Sequence, residues 1–378
     1  MLSLLKNIRR IQYYLMLTFS DDGLAVHRFT YNAQTKKITE SRSFTLRGVQ
    51  EKQLSQNKIL RFILKIIYFP FHYRLLLQIP HQFCQSRYEA VVSKREKSSE
   101  QARAQELNSF LTHAVWKLVE KNKKLFMASR KYDDVNTLLA QNSLVSAAIG
   151  TKDILHIQED SITSITGPDM RVGIVQTHLY RPIYTELAKI LPKRARIQSA
   201  LENGFAVAYG LRSASPTLVC IVERSRTNVF LSSAQEVAHA GSFNFGAHSL
   251  YEACNNMLGI GKDAYRAVLQ RYVHDGISPA ARKFIEKILH DELSRLQKGI
   301  LSFKKETGVK DAYVEAGMLN YFISEQKKFP ARLIPFKAGD TDSHATSALQ
   351  YALSLEEKSY MRHLMKKLFR WLLPNIIE

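Results

Sequence analysis

The chain has 378 residues, 45% of them hydrophobic, and its 54 Lys+Arg against 34 Asp+Glu give a net charge of +20 at pH 7. That length and apolar content can bury two or more lobes, and the positive excess points to an anionic partner: lipid head groups, nucleic acid or an acidic protein surface. Cys84, Cys220 and Cys254 lie too far apart for a disulfide framework or a metal motif, so they read as buried thiols in a reducing compartment.

The opening MLSLLKNIRRIQYYLMLTF mixes Lys6, Arg9 and Arg10 with apolar residues, and no small-residue cleavage site follows, so export is not expected. Tyr13–Phe19, the turn Ser20-Asp21-Asp22-Gly23 and Leu24–Tyr31 read as a strand hairpin, with Lys37–Leu46 as a third strand. Ile59–Pro80 is the most apolar stretch, but Arg61, Lys65, His72 and Arg74 interrupt it and Pro70 breaks it. A membrane span needs about 20 apolar residues with few charges, so we read a helix over Glu51–Tyr68 followed by a buried strand, Tyr73–Ile79. A helix over Ser99–Lys121 comes next, with Leu107, Leu111, Val115 and Leu118 on one face, and the basic Lys117–Lys131 reads as a solvated loop. Two apolar segments follow, Asn136–Ile149 and Asp153–Ile165.

From Arg171 an alternating rhythm sets in: strand Val172–Thr177, helix Pro182–Leu191, strand Arg196–Ala200, helix Asn203–Leu211. A second hairpin spans Leu218–Glu223, Arg224-Ser225-Arg226 and Thr227–Ser232, with a strand near Glu236–Phe243. Helices are predicted over His248–Met257, Lys262–Val273 and Pro279–Phe303. Then come a strand at Ala312–Glu315, a glycine at Gly317 with a helix beyond it, a strand at Leu333–Phe336 and a helix over Ala345–Leu353.

Leu355–Glu378 reads as an amphipathic helix ended by Pro374. Met361, Leu364, Met365, Leu368, Phe369 and Leu372 gather on one face, bordered by Trp371, while Arg362, His363, Lys366, Lys367 and Arg370 lie opposite. Two placements fit this pattern: in the plane of a membrane interface, or docked on the protein's own body. The terminal position and the polar lead-in Glu356-Glu357-Lys358-Ser359 favour the first. Insertion would contribute roughly 3–6 kcal/mol.

Two hairpins, each with further strands and helices, and a strand-Gly-helix step near the end resemble the actin-like ATPase superfamily. The likeness is greatest to the FtsA family of bacterial cell division and next to the PilM family of pilus assembly. Its clearest stretches are SALENGFAVAYGL, TNVFLSSAQEVAHAGSFNFGAHSLYEACNNMLGI, DAYVEAGML and ATSALQYAL. The resemblance implies an α/β, two-lobed actin-like (ribonuclease H-like) fold with an inserted FtsA-type subdomain. The first lobe would comprise 11–82 and 168–212, the insertion 83–167, the second lobe 213–353 and the amphipathic tail 354–378. It further implies a nucleotide site at Ser20, Asp22, Gly23, Arg226, Thr227, Asn228, Gly246 and Gly317, taking ATP with Mg if it binds a cofactor at all.

This chain departs from the family's phosphate motifs. Ile221 stands where the second hairpin carries an Asp, and Glu223, Arg224 and Ser225 stand where it carries three glycines that let backbone N–H groups reach phosphate. Leu24 replaces a hydroxyl in the first hairpin, Glu315-Ala316-Gly317 replaces a glycine run, and Phe245-Gly246 replaces a Gly-Gly. The implied function is therefore a membrane adaptor on the cytoplasmic face of the inner membrane, with nucleotide hydrolysis lost. It would tether an FtsZ-like or other cytoskeletal partner and self-associate into protofilaments. The alternatives are a PilM-like platform gripping a membrane protein's cytosolic segment, and a still-active ATPase. No zinc-binding motif, P-loop or Gly-x-Ser-x-Gly elbow occurs. The basic runs at Lys121–Lys124 and Lys304-Lys305 lack interleaved aromatics, so nucleic acid is not an expected partner.

Overall fold

A computed structural model describes residues 11–20, 23–47, 58, 73–96, 98–157, 165–191, 196–273, 276–316, 319–324, 328–334, 343–355 and 360–369. The chain divides into two compact units, Leu211–Asp340 forming one and the rest of the chain the other. The helix expected over Glu51–Tyr68 lies, apart from Lys58, outside the described residues.

In the first unit, β1 (Ile11–Ser20), β2 (Gly23–Asn32) and β3 (Lys37–Arg47) form an antiparallel meander. β4 (Arg74–Ile79) runs parallel beside β1, and β9 (Arg196–Glu202) parallel beside β4, giving the order β3-β2-β1-β4-β9. Leu15, Leu17, Phe19, Leu75, Leu77 and Ile79 project from one face onto Ile183, Leu187 and Ile190 of α2 (Arg181–Ile190). Tyr14 and Met16, on the opposite face of β1, are buried as well, which is why this strand reads as an unbroken apolar run.

A second sheet of this unit is built mainly from the segment between β4 and α2. It consists of β5 (Cys84–Lys94), β6 (Thr137–Ile149), β7 (Lys152–Asp153) and β8 (Asp169–Tyr180), with β8 antiparallel to both β5 and β6. This sheet runs on past residue 167, to Tyr180. β8 belongs to this sheet because its register with β5 and β6 decides its place, which an apolar run alone does not show. α1 (Ala104–Arg130) covers this sheet with Leu107, Leu111, Val115 and Leu118. The loop expected over Lys117–Lys131 is instead the second half of α1: Leu118, Val119, Asn122 and Phe126 continue the inward face, while the lysines, good helix formers, point out. The helix stops at Lys131, whose left-handed φ of 56° lets its N–H reach the Met127 carbonyl.

Polar side chains join this second sheet to the first. The Glu202 carboxylate accepts from the Ser86 N–H at 3.0 Å, and the Glu202 N–H donates to Ser86 Oγ at 2.9 Å. Gln141 Oε1 accepts from Ser199 Oγ and the Ala200 N–H, while Gln141 Nε2 donates to the Tyr351 hydroxyl at 3.1 Å. Nothing in the sequence patterning singled out these residues, except that Gln141 interrupts an apolar strand.

Tyr351 lies on α8 (Ser343–Ser354), and its ring meets Phe205 and Tyr209 of α3 (Phe205–Gly210). These contacts put α8 in the first unit, not in the second as predicted. The tail helix α9 (Tyr360–Phe369) joins it. Met361, Leu364, Met365 and Phe369 are buried in the core between α1 and the second sheet, with Leu368 partly buried against it, and the Arg362 guanidinium donates to the Leu144 carbonyl at 3.0 Å. The apolar face expected on lipid is thus turned onto β6 and α1, leaving Lys366 and Lys367 exposed. Arg370, Trp371 and Leu372 lie outside the described residues. Each buried side chain gains about 1.5–3 kcal/mol over exposure, so a bilayer offers this face no more than the body already does.

His178 of β8 is 2% exposed, packed against Phe126, and its pKa falls from 6.5 to about 3 because burial penalises the cation, with Lys123 adding to the effect. The folded protein keeps this ring neutral while the unfolded chain protonates it below pH 6.5, so stability rises with pH from about 3 to 6.5. Acidifying from pH 7 to pH 5 should cost about 2 kcal/mol through this group. Urea midpoints of parent and His178→Phe at the two pH values check this. The variant should lose that part of the acid slope; equal slopes refute the assignment.

The second unit repeats the first sheet's succession. β10 (Thr217–Val222), β11 (Thr227–Ser232) and β12 (Glu236–Phe243) form a meander, with β13 (Asp311–Glu315) parallel to β10 and β14 (Arg332–Leu333) parallel to β13. α4 (Ala247–Leu258), α5 (Lys262–Val273), α6 (Pro279–Thr307) and α7 (Asn320–Ser324) pack with it around Leu218, Val229, Leu250, Leu289, Leu296 and Val314. Ser278 caps α6, its hydroxyl accepting from the Ala281 N–H, and Pro279 follows at the first turn.

Candidate functional site

The second hairpin turn is the position at which the sequence predicts phosphate contact, and its bonds run inward. The Glu223 N–H donates to the Arg226 carbonyl at 2.9 Å, closing the turn. The Glu223 and Arg224 carbonyls accept from the N–H groups of Ala247 and His248 at 2.9 and 2.7 Å, and Ser249 Oγ accepts from the Gly246 N–H. The first amides of a helix are its anion-binding groups; in α4 the turn itself has taken them. Gly246 is required for this fit, because a Cβ there would stand 2.2 Å from the Arg224 carbonyl oxygen.

Thr227 is fully buried and its hydroxyl donates to the Phe245 carbonyl at 2.8 Å, so it has no proton left for a ligand. Ile221, in the position of the family's acidic residue, is fully buried, and its register partners on the flanking strands are Asn228 and Glu315. The Asn228 side chain is also fully buried, with no hydrogen-bond partner for either polar atom among the described residues. Arg226 is partly exposed on the turn.

In the first hairpin, Ser20 pairs with Gly23, whose φ of 130° suits glycine. Leu24, where a hydroxyl was expected, is fully buried in the core. Asp22, Gly317 and the Ser20 side chain lie outside the described residues. At the end of β13 the Ala316 N–H donates to Asn320 Oδ1, linking the strand to α7. Read together, Ile221, Thr227 and the Glu223–Ser225 turn do not fit magnesium-bound ATP, which would need a metal-facing carboxylate and bare backbone at these places.

The three cysteines are buried, as expected. Burial pushes the Cys220 thiol up to about 12 and the Cys254 thiol to about 11, so neither offers a thiolate near neutral pH. Among the described residues no cluster of His, Cys, Asp and Glu could hold a metal, and no helix is long and apolar enough to cross a membrane.

No protein-family model matches the chain, and no curated protein matches it in sequence. Solved structures do. The chain is similar to one from the PilM-PilN type IV pilus biogenesis complex, at 12% identity and a TM-score of 0.52, over 91% of this chain and 99% of that one. The chain has the actin-like ATPase fold. It is also similar to the ethanolamine utilization protein EutJ from Carboxydothermus hydrogenoformans (8% identity, TM-score 0.44, 91% of this chain and 90% of that one). A ParM filament from Clostridium botulinum matches at 10% identity and a TM-score of 0.38, over 90% of this chain and 99% of that one. The expectation of an α/β actin-like architecture, drawn from the two hairpins, is met.

Proposed function

We propose that this actin-fold chain is an assembly platform that grips a protein partner and has given up nucleotide hydrolysis. The carrying observation is the second hairpin, whose turn is built from side-chain-bearing residues and whose carbonyls occupy the start of α4. The likeness to the PilM-PilN complex supports a pilus- or secretion-type platform that holds a cytosolic segment of a membrane protein. The packing of α9 supports it over the FtsA-like adaptor, since an adaptor needs its apolar face free for lipid. Calorimetric titration of the full chain with ATP and Mg²⁺ tests the loss of nucleotide chemistry: no saturable heat is expected up to about 1 mM, and micromolar affinity would restore the ATPase reading.

A further inference from the structure

We infer that the outward face of α1 is a docking surface for an anionic lipid bilayer. α1 spans 27 residues, about 40 Å of helix. Its inner face is spent on the core, and its outer face exposes Trp116, Lys117, Glu120, Lys121, Lys124 and Leu125. At about 100° per residue the three lysines fall within an arc of about 60°, with Trp116 on one flank and Leu125 on the other. Trp116 and Leu125 are each 38% exposed. Glu120 shares the face, and Lys121 also reaches Glu89.

A cationic stripe edged by an exposed tryptophan matches a headgroup surface: lysines meet anionic phosphates while the indole sits at the polar–apolar boundary. A protein partner fits less well, because lysine is depleted from protein–protein interfaces. The helix is also held firmly enough to act as a rigid face. At its start the buried Arg95 guanidinium donates to both Glu106 carboxylate oxygens, at 2.8 and 3.0 Å, and to the Gly167 and Glu100 carbonyls. α9 packs against α1 and adds exposed Lys366 and Lys367 to the same module. The chain's net charge of +20 has the right sign for this occupant. The inference does not rest on the platform reading, since it needs neither the hairpin turn nor a protein partner.

The two tryptophans, Trp116 and Trp371, provide the test. The full chain carrying Trp371→Phe reports from Trp116, and Trp116→Phe reports from Trp371. Each is titrated with phosphatidylcholine vesicles with and without about 30% phosphatidylglycerol. With Trp371→Phe, a blue shift and co-sedimentation are expected only with the anionic vesicles, weakening about tenfold or more between about 50 and 300 mM salt. Lys117→Glu with Lys124→Glu should cut vesicle affinity at least about tenfold without moving the thermal melt, both side chains being exposed. Three results would each overturn the inference: vesicles that do not bind, binding reported by Trp371 and indifferent to the charge reversal, or binding to polyglutamate or duplex DNA in place of vesicles.

Discussion

Gly246→Ala is expected to destabilise the second unit by about 3 kcal/mol or more. The added methyl would lie 2.2 Å from the Arg224 carbonyl oxygen, 2.5 Å from its carbon and 2.7 Å from the Arg226 nitrogen. All three are backbone atoms, and the turn that carries them is pinned by the bonds from Ala247 and His248. Relief must therefore break those bonds at the start of α4, adding their loss to the steric term. The backbone at Gly246 is extended, with φ of −150°, so the whole effect is one of space. Gly210→Ala is the control: nothing lies within 4 Å of its added methyl, and it should change stability by less than about 1 kcal/mol. Denaturant midpoints of both variants decide the matter; a Gly246→Ala protein that melts like Gly210→Ala would remove the turn from the start of α4.

The second large effect is expected from Met361→Ala with Met365→Ala. Both thioethers are buried, at 0% and 3% exposure, among the side chains of α1, β6 and β8. A buried Met→Ala truncation costs about 2–5 kcal/mol. Because the two lie one turn apart, their sum should fall short of additivity. The loss should appear as release of α9, with tryptic cleavage after Lys366 and Lys367 at least about tenfold faster than in the parent. Lys366→Ala, on the exposed face, should leave the urea midpoint within about 0.5 kcal/mol. If the helix spends its time off the body, the parent will already be cut rapidly and the double variant will be cut no faster.

Much of the architecture was legible from residue order. Alternating apolar stretches around Asp22-Gly23 and Arg224-Ser225-Arg226 announced two hairpins, and both are present, with 21–22 at the first tip lying outside the described residues. The change at Ile221, Leu24 and the glycine positions was equally visible, because side-chain identity alone decides whether a turn presents bare backbone. Hidden from that reading were the bonds that fill the turn, since the Glu223 and Arg224 carbonyls belong to any sequence and only their distance to Ala247 and His248 gives them a role. Lys117–Lys131 misled for a related reason: a density of lysines suggested solvent, and solvent does face them, but Leu118, Asn122 and Phe126 anchor the same segment from behind.

Local patterning by itself determined the two hairpins, the excess of positive charge, and the fact that α9 has one greasy side. It could not determine what that side touches. Apolar burial is non-directional and yields nearly the same free energy against Leu139, Ile174 and Leu107 as against acyl chains, so an amphipathic helix carries no address. The register of β8 between β5 and β6 builds the surface that receives it. That surface forms only once residues distant in the chain are brought together.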